Sequence, residues 1–118
     1  MHSSNQLKKI SESEFLRQVI EYARLRGFRC AHFRPGRTKD GGWKTAVVAD
    51  GAGFFDLCMM HPTTGKLVFA ELKVGNNKLS ASQQEWFDTA IMCARQSNSV
   101  FVELWTPADW ERIEEALR

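Results

Sequence analysis

The chain has 118 residues, 43% hydrophobic and 25% charged. That length suits one domain able to bury a core without staples, and the composition excludes disorder, collagen and coiled coil. No apolar run approaches the ~20 residues needed to cross a bilayer, so no membrane is expected among its partners. The start, MHSSNQLKKISESE, has no apolar stretch of the kind a secretory leader needs. Cys30, Cys58 and Cys93 form no C-x-x-C and sit among apolar neighbours, which suits small buried hydrophobes in a reducing cytoplasm. His2, His32 and His61 are scattered, so a zinc cage is not expected.

The net charge of +2 is mild, but its distribution is not. From Arg24 to Lys44 seven basic residues accompany one acid, Asp40, a net of +6; from Phe101 to Arg118 the net is −3. A basic segment in a near-neutral chain is either a polyanion-binding face or a solvated loop.

Residues 1–10 read as a flexible tail. Ser11 and Glu14 have the spacing of a capping box, and Phe15, Leu16, Val19, Ile20 and Ala23 recur at helical period. A helix therefore opens at Ser11 and stops at Gly27. Residues 28–33 (FRCAHF) alternate as a strand, with Phe28, Cys30 and His32 on one face. The following RPGRTKDGGWKTAVVADGAGF, with five glycines, reads as one long loop. Two strands, Asp56–His61 and Lys66–Val74, flank P-T-T-G. Ser80 and Gln83 repeat the capping-box spacing and open a second helix to about Arg95, with Trp86, Phe87, Ala90, Ile91 and Ala94 as its apolar face. Residues 99–105 (SVFVELW) form a fourth strand. Thr106 as N-cap and Pro107 at the first helical position open the last helix, with Trp110, Ile113 and Leu117 inward. The reading is a single α/β domain over 11–118, in the order α-β-β-β-α-β-α.

The hairpin carries the chemistry. A four-residue loop, Pro62–Gly65, is a common hairpin length and pairs His61 with Lys66. In that register Asp56 lies opposite Glu71, with Cβ atoms ~4.5–5.5 Å apart. Lys73, two residues on, shares their face. Facing carboxylates destabilise a sheet unless something offsets the repulsion, and a divalent cation does so. Both strands are otherwise apolar on both faces, which predicts helices on both sides of the sheet. A solvated strand end with a Glu–Lys pair is the structural alternative.

The pattern D-x(14)-E-L-K resembles the signature of the PD-(D/E)XK nuclease superfamily. The stretches SEFLRQVIEYARLRGF, AHFRP, GAGFFDL, FAELKVGNNKLSASQQEW and LWTPADWERIEEAL are similar to its VRR-NUC branch, in that family's order and over nearly the whole chain. The resemblance implies a restriction-endonuclease-like fold, a central mixed β-sheet flanked by helices. It also implies a DNA endonuclease dependent on Mg²⁺, with Mn²⁺ as substitute. Asp56, Glu71 and the backbone carbonyl of Leu72 would hold the metal, and Lys73 would position the attacking water. Glu14 matches a first-helix acid that completes the acidic site, although Glu12 could be the aligned residue and the capping box alone would explain Glu14. Gln83 matches a helix residue that reaches back toward the site, and it too is explained by capping. His32 matches a histidine that either meets phosphate or is structural. Phe55 departs from the family, which usually has proline there.

Arg34, Arg37, Lys39, Lys44 and Lys78 are the candidate phosphate contacts of this reading. Small stand-alone phage and bacterial members resemble junction-resolving enzymes. The expected partner is thus branched DNA, such as a Holliday junction, cut by a homodimer in the cytoplasm of a bacterium or phage-infected host. Trp43, Trp86 and Trp105 are candidates for the dimer interface. The alternatives are a non-catalytic nucleic-acid-binding module that keeps the fold, and a nickase or nuclease subunit that needs a partner.

Overall fold

The first two helices open on reciprocal side-chain caps. In α1 (Glu12–Leu25) the Ser11 hydroxyl accepts the Glu14 N–H at 3.0 Å while Glu14 Oε1 accepts the Ser11 N–H at 3.4 Å. Ile10, just before the cap, is half-buried against the core, the position of a hydrophobic staple, so it packs although the sequence reads it as part of a tail. The computed structural model describes residues 9–33, 36–37, 43–44 and 48–118. Gly27, at φ +97°, ends the α1 turn, and a Cβ there would stand 2.8 Å from His61 Nε2, so conformation and space both demand glycine.

The strands follow as β1 (Arg29–His32), β2 (Gly36–Arg37), β3 (Trp43–Lys44), β4 (Leu57–Met60), β5 (Leu67–Leu72) and β6 (Val100–Trp105). The expected long loop is thus interrupted by a short antiparallel ribbon, Gly36 opposite Lys44 and Arg37 opposite Trp43. Strands of two residues are too short to show alternation in a sequence. Helix α2 (Ala81–Arg95) crosses from β5 to β6, and α3 (Trp110–Ala116) closes the chain. The last helix was expected to open at Pro107. Instead Pro107–Asp109 is a turn of 3-10 helix, tightened by Asp109 Oδ2 accepting the Thr106 N–H at 2.8 Å.

The main sheet is mixed, in the order β1-β4-β5-β6. The β1–β4 and β4–β5 pairs are antiparallel; β5–β6 is parallel, as its helical crossover requires. One face carries Leu57, Met59, Val68, Ala70, Leu72 and Trp105, all buried against Phe15, Leu16, Val19 and Ala23 of α1 and Ile113 and Leu117 around α3. The other face meets α2 through aromatic rings: Phe54 against Trp86 at 4.9 Å between centroids, Phe55 against Phe69 at 5.3 Å and against Phe87 at 6.1 Å. Helices therefore cover both faces, as the two-sided apolar pattern predicts. Of the expected α2 face only Ala90 is fully buried; Trp86, Phe87, Ile91 and Ala94 are half-buried. Among the described residues no helix is long and apolar enough to cross a membrane.

His61 ties the far end of the hairpin to α1. Its Nδ1 accepts the N–H groups of Thr63 at 3.2 Å and Thr64 at 3.1 Å, so the ring proton lies on Nε2 and is donated to the Arg26 carbonyl at 3.0 Å. The ring also stands edge-on to Phe28, centroids 5.0 Å apart. Nearby, Lys66 Nζ donates to the Ala116 carbonyl at 3.1 Å and holds the end of α3. Removing three hydrogen bonds and a ring contact from a half-buried site, His61→Ala is expected to cost about 2 kcal/mol of stability, read by urea unfolding.

Candidate metal and acid site

The hairpin register is the expected one. Leu57 pairs with Ala70, Met59 with Val68 and Met60 with Leu67, and the His61 N–H donates to the Lys66 carbonyl at 2.9 Å. Antiparallel pairs alternate between hydrogen-bonded and non-hydrogen-bonded, and His61–Lys66 sets the phase. Counting along, Leu57–Ala70 is a hydrogen-bonded pair and Asp56–Glu71 falls at the other kind, where side chains come closest. The ladder ends there, and the side chains take over. Glu71 Oε1 accepts the Asp56 N–H at 2.8 Å, and Asp56 Oδ2 accepts the Leu72 N–H at 2.9 Å.

The arrangement tempers the repulsion seen in the sequence, because each carboxylate accepts an N–H of the opposite strand. It does not abolish it. Glu71 is 1% exposed, and its Oε2 is buried with no hydrogen-bond partner. Burial, then the charge of Asp56, pushes its carboxyl up to about 7, against the opposing pull of the Asp56 N–H and Lys73. A buried acid facing a second carboxylate has two ways to lower its energy: keep a proton or share a cation. The donor set fits the second. Two carboxylates with water completing the shell suit Mg²⁺, which is commonly held by one or two carboxylates. Among the described residues no group of three or more His, Cys, Asp or Glu gathers to hold a metal.

Lys73 lies on the same face of β5 as Glu71. Its N–H donates to the Trp105 carbonyl at 2.9 Å, extending the β5–β6 pairing, and its Nζ donates to Gln83 Oε1 at 3.2 Å. The same Gln83 oxygen accepts the Ser80 N–H at 2.8 Å, and the Ser80 hydroxyl accepts the Gln83 N–H at 3.2 Å. Gln83 thus caps α2 and reaches toward the site at once. Because its carbonyl oxygen is neutral, it orients the ammonium without cancelling the charge.

The other expected residues fall elsewhere. Glu14 is exposed and engaged in its own capping box with Ser11. His32 ends β1 opposite Leu57, on the α1 face of the sheet. Glu14 and His32 line one open groove of about 450 Å³ beside α1. Glu12 is exposed in the first turn of α1, and Lys78 is exposed between β5 and α2. Arg34 and Lys39 lie outside the described residues; Arg37, Trp43 and Lys44 are placed only as ribbon positions. Trp105, expected at an interface, is wholly buried at 0% exposure: Leu72 is its partner across the parallel pair, and the core face of the sheet encloses it. Trp86 has an intramolecular partner, donating its indole N–H to the Asp50 carbonyl at 2.8 Å. Nothing in the sequence signals that bond, since a tryptophan on a helix face reads simply as apolar. Comparison with protein-family models, curated proteins and solved structures gave no match.

The raised pKa of Glu71 has a direct consequence for stability. An ordinary glutamate sheds its proton near 4.5 and the folded one near 7. Between those values the folded state holds the extra proton, so stability is complete below about pH 4.5 and falls as pH rises through 7. At 1.36 kcal/mol per unit the loss is at most about 3 kcal/mol. Glu71→Gln keeps the shape of the neutral acid, so its unfolding free energy in EDTA should lack this loss. Urea titrations of both proteins from pH 4.5 to 8 check the difference.

Proposed function

We propose that the chain is a Mg²⁺-dependent DNA endonuclease of the VRR-NUC type within the PD-(D/E)XK superfamily, acting on branched DNA as a homodimer in the cytoplasm. The observation that carries the reading is the buried, partnerless Oε2 of Glu71 beside Asp56, at the end of a hairpin whose next same-face residue is Lys73. The mixed sheet, with one helix before the hairpin and another between its last two strands, supports it.

In this reading Asp56, Glu71 and the Leu72 carbonyl hold the cation. When bound, it supplies Lewis acidity to a phosphodiester and lowers the pKa of an attacking water. Lys73, held by Gln83, orients that water and offsets charge that grows on the phosphate. Gln83 leaves the ammonium charged. Glu14, located in the groove beside α1, acts as a further acid only if α1 shifts from its present capping geometry. Arg34, Arg37, Lys39, Lys44 and Lys78, with His32, grip backbone phosphates. Symmetric cutting of a four-way junction needs two sites, hence the two-fold dimer. With Trp105 in the core, its apolar contact must come from other residues.

The decisive test is purified protein on a four-way junction and on plasmid, with Mg²⁺ or EDTA. Cleavage with Mg²⁺ alone is expected, and Asp56→Ala or Glu71→Ala should abolish it. Full activity in either variant, or none in the wild type, overturns the reading; junction binding without cleavage would favour the non-catalytic module. Lys73→Ala should lose turnover on the order of 100-fold while DNA affinity holds. Lys73→Arg should rescue poorly, because a planar guanidinium does not replace a compact ammonium. Neutralising Arg34, Arg37 and Lys39 together should flatten the salt dependence of binding by about one log–log unit per lost phosphate contact, measured by fluorescence anisotropy.

A further inference from the structure

Strand β4 begins at Leu57, and one step before it the Asp56 carbonyl accepts the Phe33 N–H at 2.9 Å, the last backbone tie to β1; the chain leading into Asp56 is held by other contacts. Residues 50–55 lie against the first two turns of α2. The Trp86 indole donates to the Asp50 carbonyl at 2.8 Å, and Phe54 stands edge-on to the same ring at 4.9 Å. Gly53, at φ +80°, rests its backbone directly on the helix. A Cβ there would come within 2.6 Å of Ser82 Oγ, 2.7 Å of the Ser82 carbonyl carbon and 2.8 Å of the Gln83 nitrogen. Two of those atoms are backbone and cannot swing aside. Within the segment the Gly51 N–H donates to the Val48 carbonyl and the Phe54 N–H to the Gly51 carbonyl, both local turns. The helical turn that receives Gly53 also carries Gln83, which holds Lys73.

We propose that Trp86 is a positioning residue for the carboxylate pair: together with Gly53 it clamps residues 50–55 to α2 and sets where Asp56 meets Glu71. The clamp acts through the backbone of Asp56, whose N–H is the group that Glu71 binds. Helix α2 then gathers both arms of the site, Asp56 through Trp86 and Gly53, and Lys73 through Gln83. The inference rests on the metal-site reading above.

Trp86→Phe keeps an aromatic ring beside Phe54 while removing the indole N–H and some ring area. Two measurements apply to it: Mn²⁺ binding by calorimetry, and the Asp56 amide resonance by ¹⁵N NMR without metal. His61→Ala, which loosens the far end of the same hairpin, is the control for general stability. Trp86→Phe should weaken Mn²⁺ binding roughly 10-fold and displace the Asp56 resonance, and His61→Ala should do neither. Gly53→Ala should go further in the same direction if it folds. Failure of the wild type to bind Mn²⁺ overturns the metal reading, while the Asp56 resonance still judges the clamp. Wild-type affinity together with an unmoved resonance in Trp86→Phe overturns the clamp. So does a His61→Ala variant that matches Trp86→Phe in both measurements.

Discussion

Everything distinctive about this molecule depends on burying a second carboxylate beside the first at the end of a β-ladder. Asp56 and Glu71 face each other where antiparallel side chains come closest, one step beyond the last β4–β5 pair, Leu57 with Ala70. The backbone N–H groups of Asp56 and Leu72, which a longer ladder would have paired with carbonyls, go to carboxylate oxygens instead. The pair is thus both a defect in the sheet and the device that completes its hydrogen bonding. What remains unsatisfied is one oxygen of Glu71, buried beside a second carboxylate.

Helix α2 converts this local feature into a constellation. Its cap is made by Ser80 and Gln83, an ordinary device for starting a helix, yet the same Gln83 oxygen holds the Lys73 ammonium. One side chain thereby couples helix initiation to the charge beside Glu71. The loose packing of α2, with only Ala90 fully buried, makes such specific ties more important than on α1, where four residues are buried.

Much of this was legible in the sequence where short-range chemistry decides. The Pro62–Gly65 loop length set the register, and through it the meeting of Asp56 and Glu71. The capping-box spacings located α1 and α2 to the residue. What escaped depends on three-dimensional neighbours. The ribbon of Gly36–Arg37 and Trp43–Lys44 is too short to have a period. Trp105 sits in an alternating strand without any mark that its face is the core. The bonds from Asp56 and Leu72 N–H groups to carboxylates are invisible to a rule that counts facing charges and sees only repulsion. Glu14 and Gln83 show the limit well: both occupy the third position of a capping box, and only the fold distinguishes the one that ends at its cap from the one that also reaches a lysine.

The direction in which the helices run has an electrical consequence. The Arg26 carbonyl after α1 meets His61, and the Ala116 carbonyl of α3 meets Lys66, both at the Met60–Leu67 end of the hairpin. Helix α2 starts beside Lys73 and leads into β6, whose Val100 pairs with Leu67 at that same far end. All three helices therefore direct their positive poles toward the end of the sheet that carries Asp56 and Glu71, and their negative poles away from it. Each pole is worth about half an elementary charge, and each acts over roughly its first turn. The domain is polarised as a whole, and its two paired acids are seated at the positive end, where the helix poles favour their charged forms.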